Sequence, residues 1–380
     1  MNMSKVQVNQ FVHTLNYGDA ISGEARTIQR MLRQMSIPSE IYSVHTHEKL
    51  KGQTRSWLDF DKEAAAAAQD GLKTAVILHY SIASPLNQLF LQQRDAFRAA
   101  IFHNLTPVHW FERCNARVAA DLRQGFAELP EVMGNAHLVL ADSEFNCQEL
   151  AKLGCVPAGT LPLLLDEEQW AVVANAGINS ILRAHGGKNI LHVGRIAPNK
   201  RIEDIIKAFY FYRHKINSQS RLWLIGTDID TEIYSFELRR LVSELQLRDA
   251  VFFVGSVSAS ELRAFYEQAD LYICLSKHEG FCMPILEAMH FSVPVIAYDA
   301  GAVAETLGSG GILVGRKRPA EIAELMEIIL TDNLVRSRLV EQGRKRAAAF
   351  SLSRFRENLE NRLLQPIIRH FERSAHLAAG

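Results

Sequence analysis

Between Val6 and Val314, short apolar runs recur with stretches of helical periodicity between them, and this alternation limits the architectures open to the chain. A run of four to eight apolar residues bounded by turns suits a strand buried on both faces, as in a parallel sheet. Parallel neighbours need crossover connections of a dozen or more residues, which helices supply. The first series comprises Val6 to His13, Ile41 to Val44, Ala75 to Tyr80, Ala99 to His103 and His137 to Ser143. Helices are expected after the first run, with Ile28, Met31 and Leu32 on one face, over Ala64 to Ala68, and over Glu144 to Leu153 behind Ser143 as N-cap.

The pattern lapses over 166–188, a stretch that ends in His185-Gly186-Gly187-Lys188, and then restarts. Strands are expected at 189–193, 221–225, 251–254, 271–275, 294–297 and 311–314, with helices at 201–216, 232–246 and 258–268. Two Rossmann-like α/β domains follow from this. A chain of 380 residues also exceeds what one hydrophobic core usually supports. The expected boundaries are 1–170 for the first domain, 188–352 for the second and 353–380 for a terminal helix. That helix carries Phe355, Leu359, Leu363, Ile367 and Phe371 near helical spacing, and Pro366 is placed to kink it.

Charge narrows the function. Lys+Arg and Asp+Glu both number 42, so no global basic field points to nucleic acid. The five cysteines lack metal-type spacing and read as reduced thiols of a cytoplasmic protein. Met1 to Val8 lead into a strand pattern without the apolar core of a signal peptide, and no run approaches the roughly 18 apolar residues of a membrane span.

Chemistry concentrates at the carboxyl ends of the expected strands, where open α/β sheets bind ligands. Ser276 to Met289 read as a strand exit, a polar loop and a helix opened by Pro284. Glu279 falls in the loop and Glu287 about one turn into the helix. Free helix amides attract anions, so glutamates beside them suit hydroxyl groups of a sugar or ribose. The plainer alternative is a capping carboxylate and a solvated helix glutamate. After the first strand of the second series come Gly194-Arg195-Ile196-Ala197-Pro198-Asn199-Lys200, where Arg195 and Lys200 suit a diphosphate. Asp228-Ile229-Asp230 and Asp59-Phe60-Asp61 have the form of a metal-binding DxD, but the first reads as a helix start and the second as a polar loop. His45-Thr46-His47 reads as solvated.

Gly194-Arg195 with Lys200, the run Glu279-Gly280-Phe281-Cys282-Met283-Pro284 and Glu287 together resemble the retaining glycosyltransferases of family 4, most clearly over 189–315. The two glutamates match that family's E-x7-E motif. The resemblance implies the GT-B fold: two Rossmann-like domains facing across a cleft, with the C-terminal helix crossing back to the first. It implies a nucleotide-sugar donor held by the second domain, with Arg195 and Lys200 on the diphosphate, Glu279 on hexose hydroxyls and Glu287 on ribose hydroxyls. The loop residues Gly280, Phe281, Cys282 and Met283 would line the donor, Cys282 standing where many members have glycine. Gly18-Asp19 resembles the family's glycine loop, with Asp19 in place of a second glycine and facing acceptor hydroxyls. His103 resembles the histidine that reaches the donor sugar, ahead of His79.

Tyr17-Gly18-Asp19-Ala20 and His103-Asn104-Leu105-Thr106-Pro107 are similar to bacterial O-antigen and polysaccharide mannosyltransferases. GDP-mannose is therefore the first-choice donor and a UDP-hexose the alternative, with a saccharide or lipid-linked saccharide acceptor. No metal or other cofactor is expected, because side chains offset the phosphate charge. Arg113, Arg117 and Arg123 near Trp110 and Phe111 suit peripheral contact with the inner face of a membrane, or equally a solvated helix face. Rival readings are a GT-B sugar-nucleotide epimerase or hydrolase, which turns over donor without acceptor, and a sugar-nucleotide sensor without turnover.

Overall fold

A computed structural model describes residues 5–184 and 186–379, so the N-terminal Met1 to Ser4 and the His185 of the expected boundary lie outside the described residues. The chain divides into two compact units. One is formed by the residues up to Leu105, by Ala120–Leu164 and by those from Leu352 onward; the other by Thr106–Ala119 and Leu165–Ser351.

The first unit contains a seven-stranded sheet of β1 (Val6–Leu15), β2 (Ile41–Thr46), β3 (Arg55–Ser56), β4 (Lys73–Tyr80), β5 (Phe97–Phe102), β6 (Leu138–Ala141) and β7 (Gly159–Thr160). Their order is β3-β2-β1-β4-β5-β6-β7, and every pairing is parallel. Burial on both faces explains the continuous apolar runs, and it also buries polar residues on β1. Each of these finds a partner: Gln7 on Thr74, Asn9 under the Glu40 amide and Gln10 on the Ala25 carbonyl. The two-residue edge strands β3 and β7 are additions that no apolar run marks, and the helix Pro85–Gln92, with Leu86, Leu89 and Phe90 buried, is a further one.

The last helices belong to this unit. Phe355, Leu359, Leu363, Leu364, Ile367 and Phe371 join the core made by Val6, Val8, Ile77 and Ile101. The helix does not simply bend at Pro366. A wide π turn over Glu360–Leu364 joins Leu352–Leu359 to Gln365–Ala379 and absorbs the proline's missing N–H and its clash with the preceding turn.

In the second unit a six-stranded parallel sheet comprises β8 (Asn189–Val193), β9 (Arg221–Ile225), β10 (Val251–Gly255), β11 (Leu271–Cys274), β12 (Val295–Tyr298) and β13 (Ile312–Val314). The order is β10-β9-β8-β11-β12-β13, so the direction of winding reverses between β8 and β11. Loops leaving those two strands diverge and open a crevice at the carboxyl edge. The same reversal falls between β1 and β4 in the first sheet. Among the described residues, no helix is long and apolar enough to cross a membrane.

Candidate active site

At the reversal in the second sheet, β11 hands the chain to a buried loop that ends at the helix Met283–His290. Pro284 sits in the first turn of that helix, where its lack of an N–H is harmless. Cys282, just before it, adopts φ 77° and ψ 62°. This left-handed backbone costs a side-chain-bearing residue about 1–2 kcal/mol, which explains why glycine suits the position. The loop is braced from behind: Ala302 N–H donates to the Glu279 carbonyl at 2.9 Å and the Thr306 hydroxyl to the Phe281 carbonyl. Gly301, at φ 58°, permits this approach, because a Cβ there would stand 2.4 Å from the Glu279 carbonyl oxygen.

The loop leaving β8 is tied to this one. Lys277 N–H donates to the Asn199 carbonyl at 2.8 Å, and Asn199 Nδ2 to the His278 carbonyl at 3.2 Å. Lys200 is thereby delivered to Glu279 and donates to both carboxylate oxygens at 2.7 Å. The Glu279 side chain is 7% exposed and that of Lys200 21%. Burial opposes both charges, but the partners outweigh it. The carboxyl is held below its usual range and the ammonium above.

His192 on β8 was not singled out by sequence pattern. Its Nδ1 lies 2.9 Å from the Ile273 carbonyl, which makes that nitrogen the donor. Nε2 is then a buried acceptor without a hydrogen-bond partner among the described residues. Burial lowers the imidazole pKa to about 4, so the ring is neutral. A histidine ending a buried strand at the winding reversal is the signal that could have found it.

The other two members expected here have different partners. Arg195 donates to the Ile229 carbonyl at 2.9 Å, lies 3.9 Å from Asp230 and covers the Phe111 ring at 5.7 Å. Glu287 accepts from the Tyr266 hydroxyl at 2.7 Å, and burial raises its carboxyl pKa to about 7. It is therefore not a solvated helix glutamate. Nor is Glu279 a cap, since no side chain caps the helix Met283–His290.

The first unit holds a separate buried cluster. Gln10 Nε2 donates to the Ala25 carbonyl, so its Oε1 accepts from His79 Nε2–H at 3.0 Å. The neutral His79 then offers Nδ1 as acceptor, and His103 Nε2–H donates to it at 2.9 Å. His103 Nδ1 stands 3.4 Å from Asp142, while Glu24 lies 3.5 Å from His79 and 3.4 Å from His103. Burial lowers the His79 pKa. It opposes the charge on His103 too, but Glu24 and Asp142 outweigh it and raise that pKa. The rings stack at 5.2 Å, and the His103 side chain is 1% exposed. Both its ring nitrogens are thus engaged within the unit. Gly18 turns at φ 76°, and Asp19 caps the helix Ala20–Gln34 by accepting from the Ser22 amide and hydroxyl.

Among the described residues, two groups bring metal-ligating atoms within 4.8 Å of one another: Glu24 with His79 and His103, and Cys274 with Glu279 and Cys282. The first is occupied by the shared histidine proton. The DxD patterns are employed elsewhere: Asp230 pairs with Arg117 at 2.6 Å, Asp61 accepts from Gln93, and Phe60 is fully buried. Of the residues expected to form a membrane patch, Phe111 is buried, whereas Arg117 is 71% exposed while it pairs with Asp230.

Residues 177–346 match the family model of glycosyl transferases group 1. A GDP-mannose:cellobiosyl-diphosphopolyprenol alpha-mannosyltransferase of Xanthomonas oryzae is 30% identical over 145 residues, 38% of this chain and 37% of that protein. The O-antigen chain mannosyltransferase RfbU of Salmonella typhimurium is 32% identical over 153 residues, 40% of this chain and 41% of that protein. The matched segment spans about two fifths of the length of these curated relatives. Anabaena HepE, solved in complex with UDP, superposes with a TM-score of 0.67 at 18% identity over 94% of this chain and 100% of that one. The two parallel-sheet α/β units are those of the GT-B glycosyltransferase fold.

Proposed function

We propose that this protein is a retaining glycosyltransferase that moves a hexose from a nucleotide sugar to a saccharide or lipid-linked saccharide, a reading supported by the match of residues 177–346 to the glycosyl transferases group 1 model. GDP-mannose is the first-choice donor and a UDP-hexose the alternative. The observation that carries the reading is the Lys200–Glu279 pair at the winding reversal, a cation and a hydroxyl acceptor side by side in a buried setting.

In this reading the departing diphosphate draws the Lys200 ammonium, and Glu279 exchanges part of that contact for donor hydroxyls. Preorganised positive charge where negative charge develops is worth the most in such a site. Arg195 adds its guanidinium from the neighbouring loop, and Glu287 accepts from ribose hydroxyls. The loop residues Gly280, Phe281, Cys282 and Met283 border the sugar. No protein nucleophile is required: a donor phosphate oxygen takes the acceptor's proton on the face the leaving group vacates. No metal is required either, because two side-chain cations offset the phosphates. Within the first unit, His103 and Asp19 are the candidates for sugar contacts.

Mannose is favoured by the names of the Xanthomonas and Salmonella relatives, and the diphosphopolyprenol acceptor in the name of the former favours a lipid-linked saccharide acceptor. The UDP held by HepE favours the alternative donor. The test is a thermal-shift panel of nucleotides and sugar nucleotides, followed by turnover with and without saccharide acceptors. A native-state ligand raises the melting temperature with its concentration. We expect GDP and GDP-mannose to do so, and product formation to depend on acceptor with the anomeric configuration kept. Donor consumption at the same rate without acceptor would establish the hydrolase or epimerase instead.

A further inference from the structure

Cys274 ends β11 and Cys282 precedes the helix Met283–His290, yet their sulfurs lie only 3.7 Å apart. Their side chains are buried, with residue exposures of 1% and 8%, and a Glu279 oxygen belongs to the same group of atoms within 4.8 Å. We propose that Cys274, Cys282 and Glu279 form a binding site for a thiophilic divalent cation of the zinc type, and that its occupation switches the donor loop off.

Three observations converge. The first is distance: two thiolates bound at ~2.3 Å to a tetrahedral zinc ion stand ~3.8 Å apart, so the sulfurs need almost no rearrangement. The second is the carboxylate. It offers roughly four acceptor positions, of which Lys200 occupies two and the Ser276 side chain another, leaving capacity for one ligand contact. The third is charge. With both thiols protonated, the buried group contains one carboxylate and one ammonium and is neutral. Binding follows Zn²⁺ + 2 Cys–SH → Zn(S–Cys)₂ + 2 H⁺, so two protons leave, one dication enters and the group stays neutral. The low-dielectric site therefore acquires no uncompensated charge.

The ion would staple the two ends of the segment that carries Glu279 and draw its carboxylate from the hydroxyls it accepts. This inhibitory consequence rests on the transferase reading; the ligand set does not.

The decisive probe is Co²⁺, titrated into metal-stripped full-length protein kept reduced with a phosphine. A thiolate-to-cobalt charge-transfer band with tetrahedral d–d absorption at one ion per chain is expected, displaced by Zn²⁺. Cys274→Ala should lose the band while keeping its circular dichroism and melting transition. If that variant does not fold, Cys282→Ser replaces it. Absence of the band in the native protein, or its persistence at full intensity in the variant, overturns the site. In turnover assays, zinc should lower the native rate tenfold or more, reversibly with chelator, and leave the rate of Cys274→Ala unaffected. Unaffected native turnover overturns the inhibitory role. A protein that turns over no donor under any condition refutes the transferase reading while the cobalt spectrum still decides the site.

Discussion

Lys200 and Glu279, 79 residues apart in the chain, meet through two hydrogen bonds of 2.7 Å because β8 and β11 are neighbours in the sheet. Breaking a largely buried pair from one side leaves an uncompensated charge. Lys200→Ala and Glu279→Ala should each lose about 1–3 kcal/mol of stability in urea unfolding and ~100- to 1,000-fold in transfer rate. Lys200→Ala combined with Glu279→Ala should destabilise by less than the sum of the single variants. Additive losses would mean that the two residues act independently.

Glu287 gives the pH dependence. Its carboxyl titrates at about 7 in the native protein against an ordinary value of 4.5. The folded state thus binds the proton more tightly, an advantage complete below pH 4.5 and lost as pH rises through 7. Glu287→Gln should be more stable than the native protein at pH 8, by on the order of 2–3 kcal/mol, and nearly equal at pH 4.5. Melting curves across that range check this. Nucleotide affinity should move the other way, tightening as the carboxylate forms and accepts ribose hydroxyls, and a flat profile would remove Glu287 from the site.

In the histidine cluster, His79 should titrate below 6.5 and His103 above it, read from histidine ring nitrogen shifts. The stability linked to His103 is present below pH 6.5 and is lost as pH rises through its native pKa. Glu24→Gln should bring His103 down toward 6.5, since Glu24 lies 3.4 Å from it. Transfer by His103→Ala should fall, and an unchanged rate would make the histidine purely structural.

Gly301→Ala tests the backing of the donor loop. Its Cβ would overlap the Glu279 carbonyl at a positive φ. A loss of about 2–4 kcal/mol is expected by differential calorimetry, together with weaker donor binding. Native stability would show that the loop can retreat at little cost.

Leu363 is fully buried in the first unit's core. Leu363→Ala should cost about 2–5 kcal/mol, visible as reduced hydrogen-exchange protection in β1 and β4. Unchanged protection there would show that the terminal helices do not support the sheet.

The strand series was legible because parallel strands buried on both faces read as unbroken apolar runs. The edge strands β3 and β7 were not, since two residues paired on one side need no apolar character. Glu279 and Lys200 were visible as residues at strand exits, but Arg195 was not visibly bound for Ile229 and Asp230, nor Glu287 for Tyr266. Those partners come from other crossovers, and local spacing holds no information about them. Cys274 and Cys282, eight positions apart, carry no recognisable metal spacing, and a reversed loop brings them to 3.7 Å.

From the sequence alone came the alternation, two parallel sheets and the places where strands deliver polar loops; the left-handed backbone at Cys282 came from the fold. Only the tertiary structure decided which loops meet. The periodicity of a strand records which of its faces are buried, but the order of strands in a sheet is set by packing the crossover helices. Placing β8 beside β11 made Lys200 and Glu279 one site. Placing β1 and β5 on either side of β4 joined Gln10, His79 and His103 in one proton-sharing row.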